Sequence, residues 1–160
     1  MALSGVRLFT SATPAGTALR YICIVAVGNL VWEVAQLPLF TLWRTASPAY
    51  IAFAVVHCWI GDLLIASTTL LIGLGAAGRT WPERHYAGSA LITVLSGLVY
   101  TVFSEWLNVV VRGTWTYASA MPRVPPLGTG LAPLLQWLIV PVVGFVWARK
   151  PGSLSGEESQ

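Results

Sequence analysis

Charge is what this chain has least of. Only 9% of its 160 residues are Asp, Glu, Lys or Arg, against about a quarter in an ordinary soluble domain. With 56% hydrophobic residues and a mean hydropathy of +0.71, that deficit excludes a solvated globular domain and places the chain in the membrane class. Cysteine is scarce as well. Cys23 and Cys58 lie in separate apolar runs, with no C-x-x-C spacing and no disulfide framework. The net charge is +3, but the nine basic residues are scattered between apolar runs, so no nucleic-acid face is expected. There is no G-x-S-x-G elbow. The glycines of LIGLGAAG (71–78) follow no strand, so they are expected to permit close helix contact and a turn rather than to cradle phosphate.

What is present is four apolar runs long enough for a bilayer core, which needs roughly 20 residues. They are 21–43, 50–74, 86–111 and 127–148, closed by Arg20, Arg44, Arg112, Arg149 and Lys150 and edged by Tyr21, Trp43, Tyr50, Tyr86 and Trp147. Aromatic and basic ends of this kind suit the membrane interface. Membrane-spanning strands are not expected, because open sheet edges cannot be satisfied in lipid. The expected fold is an all-α integral membrane protein of four transmembrane helices in an antiparallel bundle. An N-terminal segment (1–20) precedes the single transmembrane domain (21–148), and a polar, disordered tail (151–160) follows it. Glu33 and a second apolar stretch follow the first run without a small-residue cleavage pattern, so that run is read as a retained helix, not a signal peptide. Arg7, Arg20, Arg79, Arg84, Arg149 and Lys150 fall on one side and Arg44, Arg112 and Arg123 on the other. The positive-inside rule then places both termini in the cytoplasm. Residues 112–126 (RGTWTYASAMPRVPP) are too apolar for a free loop and too proline-rich for a helix. An interfacial, lid-like segment between the third and fourth helices is expected there.

Three of the six acidic residues, Glu33, Asp62 and Glu105, lie inside spans, where each costs a few kcal/mol unless paired, neutralised or hydrated. Helical spacing collects further polar groups around them. Asn29, Glu33 and Gln36 follow i, i+4, i+7; Glu105, Asn108 and Arg112 follow i, i+3, i+7; each set shares one helix face. His57 and Asp62 are about 140° apart and can border one cavity without sharing a stripe. Gln136 is the strong polar residue of the fourth run. Counting rise from the expected ends puts Glu33 and Asp62 near mid-membrane, Gln136 nearer the middle than the surface, Gln36 and His57 in the outer half, and Glu105 and Asn108 from the outer half toward the outer surface. A polar pocket opening toward the periplasm beneath 112–126 is therefore expected.

Glu33, Asp62, Glu105 and His57 are the candidate acid–base groups, since buried carboxyls serve as general acids. Asn29, Gln36, Asn108, Arg112, Trp115, Tyr117 and Gln136 are the candidate substrate contacts. With Trp32, Trp59, Trp106 and Tyr100 nearby, the set suits a hydrophobic lipid or isoprenoid substrate, whose cationic intermediates aromatic faces stabilise. A proton-coupled carrier and a non-catalytic subunit or assembly factor are the alternatives, with a homodimer or a membrane partner meeting the polar face. The amides also have a plain structural role as interhelical hydrogen bonds. No metal is assigned, because one in-span histidine and no H-x-x-x-H or E-x-x-H spacing make a weak ligand set; no cofactor is indicated.

The phrases WEVAQLPLFTLW (32–43), HCWIGDLLIA (57–66), FSEWLN (103–108) and RGTWTYASAMP (112–122) resemble those of small bacterial four-span inner-membrane proteins of no assigned activity. That resemblance implies a four-helix membrane fold and a bacterial source, and supplies no chemistry. The tryptophan-rich sensory proteins share the length and tryptophan content, but their proline–tryptophan signature and fifth span are missing here.

Overall fold

The first helix begins where a capping residue and a proline meet. The Thr13 hydroxyl accepts from the Gly16 N–H at 3.1 Å, and Pro14 occupies the first helical position, where its missing N–H costs nothing. The same Ser–Pro device starts the third helix, with Ser47 accepting from the Tyr50 N–H. The computed structural model describes residues 13–149; the expectations for 1–12 and for the tail 151–160 fall outside the described residues. Within them run α1 (Pro14–Gln36), a 3-10 turn (Leu37–Leu39), α2 (Leu42–Thr45), α3 (Pro48–Ala77), α4 (Tyr86–Glu105), a π-helical turn (Trp106–Val111), a two-stranded hairpin of β1 (Arg123–Val124) and β2 (Thr129–Gly130), and α5 (Leu131–Ala148).

Four of these helical stretches are long and apolar enough to cross a membrane: Pro14–Leu39, Pro48–Thr80, Tyr86–Val111 and Leu131–Ala148. The chain thus has the build of a multi-pass membrane protein. Its surface agrees, since Val99 is 71% and Leu71 67% exposed, an outward apolar face that only lipid or a partner would cover.

Three expected boundaries shift. The first span starts at Pro14, not at Tyr21, because the Thr13–Pro14 cap and not Arg20 sets it. It ends near Leu39 rather than Trp43, because Pro38 breaks the ladder and forces a 3-10 turn. The fourth span starts at Leu131, residues 123–130 being spent on the hairpin. Glu33 and Gln136 consequently lie toward the ends of their helices rather than near mid-span.

Packing follows the helical repeat. Thr17, Tyr21, Val25 and Asn29, each four apart, form the buried stripe of α1, which Gln36 extends. α5 turns Pro133, Gln136, Val140, Gly144 and Ala148 inward at the same repeat. Small residues let the helices close up, as in other membrane bundles. A Cβ on Gly97 would lie 2.6 Å from the Trp137 ring, and one on Gly73 would lie 2.6 Å from the Ser89 carbonyl oxygen. Gly78, at φ 70°, makes the turn out of α3. Gly75 meets nothing within 4 Å, so close helix contact falls to Gly73 instead. One end of the interior is an apolar core of Tyr21, Val25, Ala66, Leu70, Val140 and Phe145. At the other end the interior turns polar.

Candidate functional site

The polar end is organised by one amide. Gln136 Nε2 donates to Asp62 Oδ2 at 2.8 Å, to Glu33 Oε1 at 3.3 Å and to Asn29 Oδ1 at 3.4 Å. Its Oε1 accepts from Gln36 Nε2 at 3.2 Å, and Gln36 Nε2 also donates to Glu33 Oε1 at 2.8 Å. Three helices, α1, α3 and α5, are joined here by side chains alone. The amide nitrogen has two hydrogens and faces three acceptors, so the cluster is richer in acceptors than in donors. Asn29 and Gln136 are only 1% and 2% exposed.

Above this hub lies a cavity of about 520 Å³. Its wall is contributed by Glu33, Gln36 and Phe40 from the end of α1 and beyond; by Tyr50, Phe53, His57, Cys58 and Asp62 from α3; by Tyr100, Thr101, Ser104, Glu105 and Asn108 from α4 and the π turn; and by Pro133, Gln136 and Trp137 from α5. Arg112, Thr114 and Trp115 close one side. Asn29 is not part of the wall; it supports Gln136 from below.

The segment expected to act as a lid is fastened over the same end. Its backbone pairs with the chain after α1, through Thr41 N–H to Thr116 O at 3.0 Å and Ala118 N–H to Leu39 O at 2.9 Å. Tyr117, Met121 and Ala132 form a second small core against Leu39, Phe40 and Val109. The Tyr117 hydroxyl donates to Glu105 and accepts from the Gly130 N–H at 2.9 Å. Burial and the neighbouring Glu105 carboxylate hold that phenol above the usual tyrosine range, so it remains a donor at neutral pH. Tyr117 is therefore a latch of the lid. Its hydroxyl is committed within the protein, unlike the substrate contact expected of it.

The other expected residues sort by depth. Glu33 and Asp62 meet on Gln136; Glu105 lines the same cavity but is turned toward the latch. Asn108 Nδ2 bonds the Ser104 carbonyl at 2.9 Å, and its Oδ1 accepts from Thr114 at 3.5 Å. Arg112 and His57 are exposed at the edge. His57 stacks on Phe53, with ring centroids 5.6 Å apart. Arg112 forms no ion pair among the described residues, so its pairing with Glu105 does not occur; the Tyr117 hydroxyl takes that place. Of the expected aromatics, Tyr100 lines the cavity, whereas the Trp59 indole is spent on the Ala26 carbonyl at 2.8 Å. The Trp115 indole N–H lies near Glu105 but meets no partner with hydrogen-bond geometry. Among the described residues, no three His, Cys, Asp or Glu side chains come together as a metal-ligand group.

Sequence reasoning missed Tyr50, Phe53, Cys58, Thr101, Ser104 and Trp137 as wall residues. The signal was stepping by three or four from the residues already singled out: from Asp62 back to Cys58, and from Glu105 back to Thr101. Compared with family models, with curated proteins and with solved structures, the chain matches none.

Proposed function

We propose that this chain is a membrane-embedded enzyme that performs acid–base chemistry on an unsaturated lipid or isoprenoid, in an antiparallel four-helix bundle. The observation that carries the reading is the meeting of Glu33 and Asp62 on one Gln136 amide, at the inner end of a cavity backed by apolar core. Two carboxyls on one face of a substrate can divide the work: one gives a proton to a double bond, the other removes a proton from a neighbouring carbon. The substrate then gains one proton and loses one, and a proton passed between the carboxyls restores the pair, which suits an isomerisation or a cyclisation. Phe53, Tyr100 and Trp137 in the wall supply ring faces for the transient cation.

A carrier reading requires polar groups from one surface to the other. Here the interior beyond Asn29 and Gln136 is built around Tyr21, Val25, Leu70, Val140 and Phe145, and the buried hydroxyls of Thr69, Ser89 and Thr93 are turned back onto carbonyls of their own helices, which favours a closed-bottom site over a proton path. The charge asymmetry of the loops supports cytoplasmic termini, with the cavity mouth on the opposite side, and the resemblance to small bacterial membrane proteins supports an inner-membrane location. The test is comparative mass spectrometry of lipids in membranes carrying the wild type, Glu33→Gln or Asp62→Asn. An enzyme converts one species to an isomer in the wild type, and each variant reduces that conversion by about 100-fold. Identical lipid profiles in all three membranes contradict the proposal.

A further inference from the structure

The floor, walls and roof of the polar cavity are built differently. Its floor is the apolar core around Tyr21, Val25, Leu70 and Val140. Its walls are helices in close contact, with Gly97 set against the Trp137 ring and the Trp59 indole bonded to the Ala26 carbonyl. Close-packed helices do not part without losing many contacts at once. The roof is held more lightly. Thr114 and Trp115 line the cavity from it, and of residues 113–120 only Tyr117 is buried. Its ties include the Thr114 N–H to the Asn108 carbonyl at 2.8 Å, the Thr41 N–H to the Thr116 carbonyl at 3.0 Å and the Ala118 N–H to the Leu39 carbonyl at 2.9 Å. The two bonds of the Tyr117 hydroxyl add to these. A segment with few buried side chains and exposed backbone hydrogen bonds opens locally, at far less cost than global unfolding.

Both ends of this stretch can bend. Gly113 sits at φ 60°, a conformation that glycine adopts at little cost, and a Cβ there would meet nothing within 4 Å. At the far end Ser119 and Ala120 form an exposed turn, closed by the Met121 N–H on the Ala118 carbonyl at 3.0 Å. Beyond that turn the chain is fixed again, since β1 pairs with β2 and the Leu131 N–H bonds the Pro122 carbonyl at 2.8 Å. We propose that residues 113–120 are a flap, hinged at Gly113 and at the Ser119–Ala120 turn, and that this flap is the entrance to the polar cavity. Hinges of this kind are a few loop positions that absorb the backbone change. Because Tyr117 travels with the flap, opening also releases Glu105 from the phenol. One movement uncovers the cavity and frees its third carboxyl. The flap governs access whatever the cavity holds, so it goes beyond the enzymatic reading and does not depend on it.

The test locks the flap and reads the cavity. The hydroxyl oxygens of Thr41 and Thr116 lie 2.6 Å apart, and neither residue lines the cavity. The purified full-length protein carrying Thr41→Cys and Thr116→Cys, with Cys23 replaced by Ser, is placed in lipid nanodiscs and oxidised to join the two thiols. Peptide mapping then follows the rate at which a water-soluble maleimide modifies native Cys58, in the cavity wall. The disulfide is expected to slow that reaction by about tenfold, and reduction to restore the rate of the Cys23→Ser parent, which shows that the fold is intact. Tyr117→Phe, without the two hydroxyl bonds, is expected to raise the rate by about tenfold. Equal rates in the joined and reduced protein would overturn the inference and place the entrance between helices. Thiols that fail to join would overturn it too, since the closed flap holds them in contact, as would an unchanged rate in Tyr117→Phe. Its failure is distinguishable from that of the enzymatic reading. Slowed Cys58 labelling with unaltered membrane lipids sinks the enzyme and keeps the flap; lipid conversion undiminished in the joined protein sinks the flap and keeps the enzyme.

Discussion

The two ends of α5 are the same helix in two different interiors. Around Val140 and Phe145 the neighbours are Tyr21, Val25, Ala66 and Leu70, and the Tyr86 hydroxyl donates to the Phe145 carbonyl across helices at 2.6 Å. Around Gln136 the neighbours are Asn29, Glu33, Gln36 and Asp62, and the helices are joined through their side-chain polar groups. The apolar end can be held by close packing alone, through glycines that let helices approach. The polar end needs mutual satisfaction of its groups, since each left unpaired costs about 1–3 kcal/mol. The proposed function rests on this contrast, since buried carboxyls cost more in a membrane interior than packing alone requires.

The comparison can be broken most forcefully at its centre. Gln136→Leu leaves Glu33, Asp62 and Gln36 without their shared partner and is expected to lower unfolding stability in detergent by about 3 kcal/mol. A loss no larger than that of Val140→Ala would erase the distinction between the ends. Next in size is the latch. Tyr117→Phe removes the bonds to Glu105 and Gly130, with an expected loss of about 2 kcal/mol and faster amide hydrogen exchange through 112–130 but not through α5. The latch has a pH signature as well. Because the folded phenol is held above its ordinary value, its contribution is complete below about pH 10 and falls as pH rises further. The stability gap between wild type and Tyr117→Phe should therefore narrow in strong alkali. The smallest effect belongs to a bond near the border of the two ends: Trp59→Phe, which loses the indole bond to Ala26 O, is expected to cost about 0.6 kcal/mol, measured by the same unfolding assay.

Much of this was legible in the residues. The four spans follow from uninterrupted apolar runs, and Glu33, Asp62, Glu105 and Gln136 announce themselves because charged and amide groups are expensive in hydrocarbon. The segment 112–126 reads as a cap from its prolines and aromatics. Boundaries were harder, because Arg20 looks like an interface residue while the Thr13–Pro14 cap, a clearer signal, lies beyond it in a weakly apolar stretch. Partner choice was not legible. Glu105, Asn108 and Arg112 share spacing on an ideal helix, but the π turn at Trp106–Val111 intervenes, and Glu105 takes a partner from a segment twelve residues on. Nor does any spacing within one helix say that three helices will bring their amides and carboxyls to a single nitrogen.

An enzyme pocket requires a polar space that enters from one end only and stops. That property is tested most directly by thiol accessibility along α3 in sealed vesicles, with Cys23 replaced by Ser. Native Cys58 and an introduced Gly61→Cys, where a Cβ meets nothing within 4 Å, should react with a membrane-impermeant maleimide added from one side. Ala66→Cys and Leu70→Cys, in the apolar core, should stay unlabelled from either side until the protein is denatured. Labelling that continues through Ala66 and Leu70 and appears from both faces would contradict the account, and would make the chain a conduit instead.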